Sequence, residues 1–244
     1  MKKLSFLLTL LFMVNDSIAQ SDQPVPGQEK GKPKASYFSE LVIGMAIPTG
    51  DFAGTDPQNT RSGFATTGGF LFAGYGKLYN DRIGFEVAVS VNAYPLAEEI
   101  DQLKKMENAA YYEHGFGWWT ISGLIGPCFS VPVKNFSFDF RILAGVMDVI
   151  RPYFRNLNST GAAKLEESTG NGYAFTWHCG AGIQYRLSDK VGLKLSLDYL
   201  GSNPEINYQE TYSAYQIYYH KEEINYKQPV SSFNSGFGVI LHLD

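Results

Sequence analysis

Charge is scarce in this sequence: Asp, Glu, Lys and Arg make up 18 % of it, below the roughly 25 % usual for soluble globular chains. The formal net charge is −4. There is no basic footprint, which excludes nucleic acid as a partner. Cysteine is scarcer still. Cys128 and Cys179 are the only two, too few for a disulfide framework or a four-cysteine zinc site. Beyond the N-terminus no stretch approaches the roughly 18 consecutive apolar residues of a membrane-spanning helix. A phosphate loop, a CxxC pair and an HExxH helix are also missing. Aromatics are plentiful, with 17 Phe, 16 Tyr and 3 Trp. Even so, the mean hydropathy is −0.16. Apolar and polar residues must therefore be finely interleaved.

The N-terminus reads as an export signal. Lys2 and Lys3 precede an apolar run from Leu4 to Val14, and Ser17-Ile18-Ala19 supplies small residues at the cleavage positions. Residues 1–19 are expected to be a signal peptide cut after Ala19. Residues 20–35 carry Pro, Gly and charge with almost nothing to bury, and are read as a flexible leader. Residues 36–244 remain as one domain.

From residue 36 onward the dominant period is two, the period of a strand with two unlike faces. Ile83, Phe85, Val87, Val89, Val91 and Ala93 share one parity, and Gly84, Glu86, Ala88, Ser90, Asn92 and Tyr94 the other. Phe136, Phe138, Phe140 and Ile142 alternate with Ser137, Asp139 and Arg141. The segments 173–187 and 191–199 behave alike, and 37–47, 64–76, 118–131 and 235–243 follow more weakly. That makes eight long strands, where soluble strands average about five or six residues and a membrane-crossing strand needs about 9–11.

Short connections (76–82, 132–135 and 188–190) alternate with long ones (48–63, 95–117, 149–172 and 200–229). This predicts an all-β fold, an eight-stranded antiparallel up-and-down transmembrane β-barrel with both termini at the short-turn end. In such barrels that end is periplasmic. Ten strands are the alternative if the fourth long loop adds a hairpin. Residues 96–110 show helical spacing of Leu96, Ile100, Leu103 and Met106, which predicts a short helix over the mouth. The fourth loop holds Tyr208, Tyr212, Tyr215, Tyr218, Tyr219 and Tyr226, a candidate surface-binding loop.

With the apolar parity facing lipid, the inward charged and titratable residues are Glu40, Glu86, Asp139, Arg141, Arg186, Lys194, Asp198 and His242. All fall in the short-turn half. They are expected to pair in the lumen, because an unpaired buried charge is very costly. Closure of strand one on strand eight is expected to bring Glu40 near His242. Inward residues of the other half are smaller, among them Gly44, Ala46, Ser90 and Ser122, which predicts a charged plug below a roomier mouth. The plug reads first as structural, and second as a narrow ion pathway. Tyr79, Tyr94, Trp118, Trp119, Tyr173 and Tyr199 stand near strand ends and fit aromatic girdles. No catalytic, cofactor or metal site emerges. The opposite assignment of faces would give a secreted, lipocalin-like barrel with an apolar lumen.

Several short stretches resemble outer-membrane barrel families of Bacteroidetes-type Gram-negative bacteria. They are Ala19-Gln20, Ile47-Pro48-Thr49-Gly50-Asp51-Phe52, Gly126-Pro127, Asp139-Phe140-Arg141 with Ala144-Gly145, and Arg151-Pro152. The resemblance covers residues 36–244 and extends to small OmpA- and OmpX-type barrels. It implies an outer-membrane location, and its motifs mark the architecture and not an activity. The function expected of the chain is a structural, envelope or surface-interaction role, or else that of a small porin or an accessory barrel of a secretion or uptake machine. The partners it implies are outer-membrane lipids, the barrel-assembly machinery, and a surface or envelope partner met through the outer loops.

Overall fold

The computed structural model describes residues 36–79, 82–98, 100, 109–158, 163–214 and 218–243. The predicted signal and leader lie outside these residues. Among the described residues, thirteen strands and one helical turn follow in order. They are β1 (Ser36–Pro48), α1 (Gly50–Ala53), β2 (Gly68–Tyr79), β3 (Ile83–Pro95), β4 (Ala109–His114), β5 (Gly117–Val133) and β6 (Phe136–Arg151). Then come β7 (Phe154–Asn158), β8 (Ala163–Glu167), β9 (Gly170–Arg186), β10 (Val191–Ser202), β11 (Glu205–Ala214), β12 (Tyr218–Lys227) and β13 (Val230–Leu243).

Eight of these close on themselves. The antiparallel order runs β1, β2, β3, β5, β6, β9, β10 and β13, and β13 returns to β1. The barrel strands are 12 to 17 residues long. At about 3.3 Å per residue and a tilt near 45°, they cover a hydrocarbon band of roughly 25–30 Å.

Parity does the sorting. In β3 every second residue from Gly84 onward is buried, while Ile83, Phe85, Val87 and Val89 point outward. Phe237 is 73 % exposed and Ile43 68 %, and they face each other across β13 and β1. Apolar side chains ring the whole wall in this way. Water would not tolerate so continuous a patch on a monomer, whereas lipid requires it. The lumen is tightly filled around Phe70. A Cβ on Gly44 or Gly236 would stand only 2.8 or 2.9 Å from the Phe70 ring, so these glycines make the room that Phe70 occupies.

The other five strands stand beyond the long-loop end. β11 pairs with β12 and β8, β8 with β7, and β7 with β4. The fourth loop does form a hairpin, but it joins this outer sheet. The wall therefore keeps eight strands, and the ten-stranded alternative is set aside. Most of the helix predicted over residues 96–110 lies outside the described residues. Its last two positions, Ala109 and Ala110, open β4 instead, because β7 supplies a strand partner there.

Candidate functional site

The lumen is built in three tiers. The lowest, toward the short turns, is an ion cluster centred on Arg141 of β6. Its Nε donates to Asp198 Oδ1 and its Nη2 to Asp198 Oδ2, both at 2.9 Å. Nη2 also donates to Ser196 Oγ at 2.9 Å, and Nη1 to Glu40. The guanidinium lies 4.0 Å from the centre of the Phe72 ring, a cation–π contact on its flat face. Lys194 donates to the other Glu40 oxygen. His178 Nε2 stands 3.1 Å from Asp198 Oδ1, with its ring edge-on to Phe72. These fork-like, charge-assisted contacts are the strong form of ion pairing.

Two predicted members are held less closely. Glu86 Oε1 is 3.6 Å from Arg141 Nη1. Asp139 Oδ1 accepts from Ser130 at 2.8 Å and Ser137 at 3.0 Å, and its Oδ2 is 3.6 Å from Lys194 Nζ.

Two others stand apart, contrary to the sequence reading. Arg186 is exposed and lies at the rim of the lower cavity. It is the last residue of β9, two positions beyond Gln184, which pairs with Lys194. Glu40 spends both oxygens on Arg141 and Lys194, not on His242. The β1–β13 register sets His242 opposite Phe38 and Glu40 opposite Ile240, and His242 Nε2 meets Gln184 Nε2 at 2.6 Å.

The middle tier is polar and neutral. Tyr94 OH donates to Ser232 Oγ at 2.8 Å, and Ser232 donates to Asn234 Oδ1 at 3.0 Å. Asn234 Nδ2 donates to Asn92 Oδ1 at 3.1 Å, and Asn92 Nδ2 to Thr120 Oγ1 at 2.9 Å. The chain ties β13, β3 and β5 together across the lumen.

The upper tier overturns the roomy mouth. Loop one folds inward, and Phe52 of α1 is fully buried. Its ring meets Tyr94 edge-on at 5.0 Å and Trp118 at 5.7 Å. Trp118 Nε1 donates to Gly63 O at 2.7 Å, which holds the loop down. Gln228 Nε2 donates to Arg61 O at 2.9 Å. Tyr94 and Trp118 are therefore plug residues, not girdle residues. Tyr79, Trp119 and Tyr173 do face outward. Sequence reasoning missed Phe52 because one apolar residue in a loop has no period. The nearest signal was its place shortly after the proline that ends β1.

Above the plug, Arg151 at the end of β6 pairs with Glu167. Its guanidinium is 4.0 Å from the Tyr208 ring centre and 4.9 Å from that of Phe154. Tyr208 and Tyr226 meet edge-on at 6.0 Å. With Trp118 they line an outer cleft of about 620 Å³. Burial pushes the Tyr226 phenol up to about 12, against the opposing pull of Arg151. Tyr212 and Tyr219 are exposed on the outer sheet. Tyr215 and the Tyr218 side chain lie outside the described residues.

The architecture has solved counterparts. A major outer membrane protein from Thermus thermophilus aligns at 9 % identity with a TM-score of 0.50, covering 86 % of this chain and 99 % of that one. Neisserial surface protein A aligns at 11 % identity and a TM-score of 0.43, covering 85 % and 98 %. The attachment invasion locus protein Ail of Yersinia pestis aligns at 12 % and 0.39, covering 86 % and 99 %. No protein-family model and no curated protein matches the sequence. The chain has the fold of a small outer-membrane β-barrel. Its apolar wall and polar lumen carry the physical case for spanning a membrane.

Proposed function

We propose that this chain is an integral outer-membrane barrel of a Gram-negative, Bacteroidetes-type cell whose work is done by its outer surface, not by a pore. It is exported on residues 1–19, cut after Ala19, and inserted by the barrel-assembly machinery with the short turns in the periplasm. The reading assigns it no catalytic step. The observation that carries it is the double stop in the lumen: the Arg141 cluster below and the Phe52 plug above. An eight-stranded barrel is only wide enough for side chains to fill it, and this one is stopped at two levels, by the Arg141 cluster and by the Phe52 plug. What projects beyond the wall is the outer sheet, with Tyr212 of β11 and Tyr219 of β12 exposed on it and Tyr208 and Tyr226 lining its cleft. Tyrosine supplies contact area at low entropic cost, so a surface or envelope partner docks there.

Two measurements test this. Purified protein in planar bilayers is expected to be silent, and a stable conductance abolished by Asp139→Ala would move the chain to the porin reading. Removing residues 204–226 is expected to abolish binding to cells or envelope extracts while leaving the barrel heat-modifiable on gels. Binding that survives the deletion would place the partner site elsewhere.

A further inference from the structure

The lower lumen holds four carboxylates, Glu40, Glu86, Asp139 and Asp198, against two cations, Arg141 and Lys194. Arg186 would have raised the bases to three but stands at the exposed rim. Arg141 and Lys194 direct their short contacts to Glu40 and Asp198. Glu86 Oε1 and Asp139 Oδ2 are buried without a hydrogen-bond partner. Glu86 is only 3 % exposed. The cluster is therefore short of positive charge, and a low-dielectric lumen makes that shortage expensive.

Both carboxylates line a cavity of about 370 Å³ that also touches Pro132, near the end of β5, and the turn residue Asp189 at the short-turn end. One wall of it is apolar: Phe38, Leu78 and Ile240 pack together there with Cys128. Among the described residues no group of three His, Cys, Asp or Glu side chains is arranged to hold a metal ion. A cation that brings its own apolar surface fits this lining.

The geometry points to a binding site for a primary alkylamine, entered from the periplasmic end. The ammonium lies against Glu86, Asp139 attracts it at the more exposed position, and the alkyl chain lies along Phe38, Leu78 and Ile240. At roughly 30 Å³ per water molecule, the cavity exchanges several waters for a short chain. This site is at the opposite end of the barrel from the outer sheet, so its failure would leave the surface reading untouched.

The test is calorimetric titration of the full chain, folded in a non-ionic detergent, with n-butylammonium chloride. n-Butanol is the neutral isostere and empty micelles are the blank. The amine is expected to bind saturably, one per barrel, and at least about tenfold tighter than the alcohol, since one desolvated charge pair is worth that much. Glu86→Gln should weaken the amine about tenfold and Asp139→Asn by less, with folding checked by heat-modifiable migration. Equal binding of amine and alcohol would overturn the proposal, as would no saturable binding of the amine. An unchanged affinity in a folded Glu86→Gln would do the same. The amine–alcohol comparison needs only the unaltered chain, so it decides even if the variant does not fold.

Discussion

Gly180 lies flush against Asp198. A Cβ added at Gly180 would stand 1.8 Å from Asp198 Oδ1 and 2.7 Å from Arg141 Nε. The fork between Arg141 and Asp198 exists because β9 offers bare backbone beneath it. Gly180→Ala is expected to force the fork apart and leave charges buried without partners. Arg141→Ala should do the same more severely, costing roughly 3–5 kcal/mol. Urea unfolding in detergent, read by heat-modifiable gel migration, would measure both. Stability equal to the parent in Gly180→Ala would show that the pair relaxes freely and the cluster is not tightly built.

Phe52 is expected to be the keystone of the mouth. Phe52→Ala removes a fully buried ring from between Tyr94 and Trp118 and should cost about 3–5 kcal/mol. Loop one would then loosen, and acrylamide should quench Trp118 more strongly. Trp119 and Trp177 already face outward, so a Trp118→Phe background isolates the change. Conductance should stay silent, because the lower tier remains. Unaltered quenching would mean that the loop is held by its hydrogen bonds alone.

The outward apolar wall makes a prediction that a soluble barrel would not share. Ile43→Arg places a charge at a position that is 68 % exposed. On a water-facing surface such a change is nearly neutral. Near the bilayer midplane it costs roughly 2–4 kcal/mol. Refolding yield into lipid vesicles should fall clearly, with detergent-solubilised folding less affected. A neutral outcome in vesicles would undercut the lipid-facing assignment.

Tyr226 gives the outer sheet a pH signature. Its phenol sits at about 12, against an ordinary 10.0, because burial disfavours the phenolate. The folded sheet thus favours the neutral form. That share of its stability is whole below about pH 10 and is lost as the pH rises through about 12. The tyrosinate absorbance difference between the parent and Tyr226→Phe should have its midpoint near 12, not near 10. A midpoint near 10 would mean the phenol is solvated and the cleft open.

The Arg151–Glu167 pair ties the outer sheet to the top of β6. Glu167→Gln should leave the barrel intact and speed proteolysis within residues 204–229. Unchanged cleavage there would assign the sheet's order to backbone pairing alone.

How much of this was legible beforehand follows from the range of each signal. A strand's two faces are written in a local period of two, so the sequence alone determined the eight wall strands and the inward facing of Glu40, Glu86, Arg141, Lys194 and Asp198. Alternating loop lengths determined which end holds the termini. Only the tertiary structure decided which inward charges meet. That depends on stagger and on reach across the lumen, which put Arg141 on Glu40 and Asp198 and left Arg186 at the rim. The plug and the outer sheet were tertiary as well. Phe52 has no periodic neighbours to mark it, and the partners of β11 lie some 40 residues away in β8. Local periodicity names the face of a residue, and closure of the barrel names its partner.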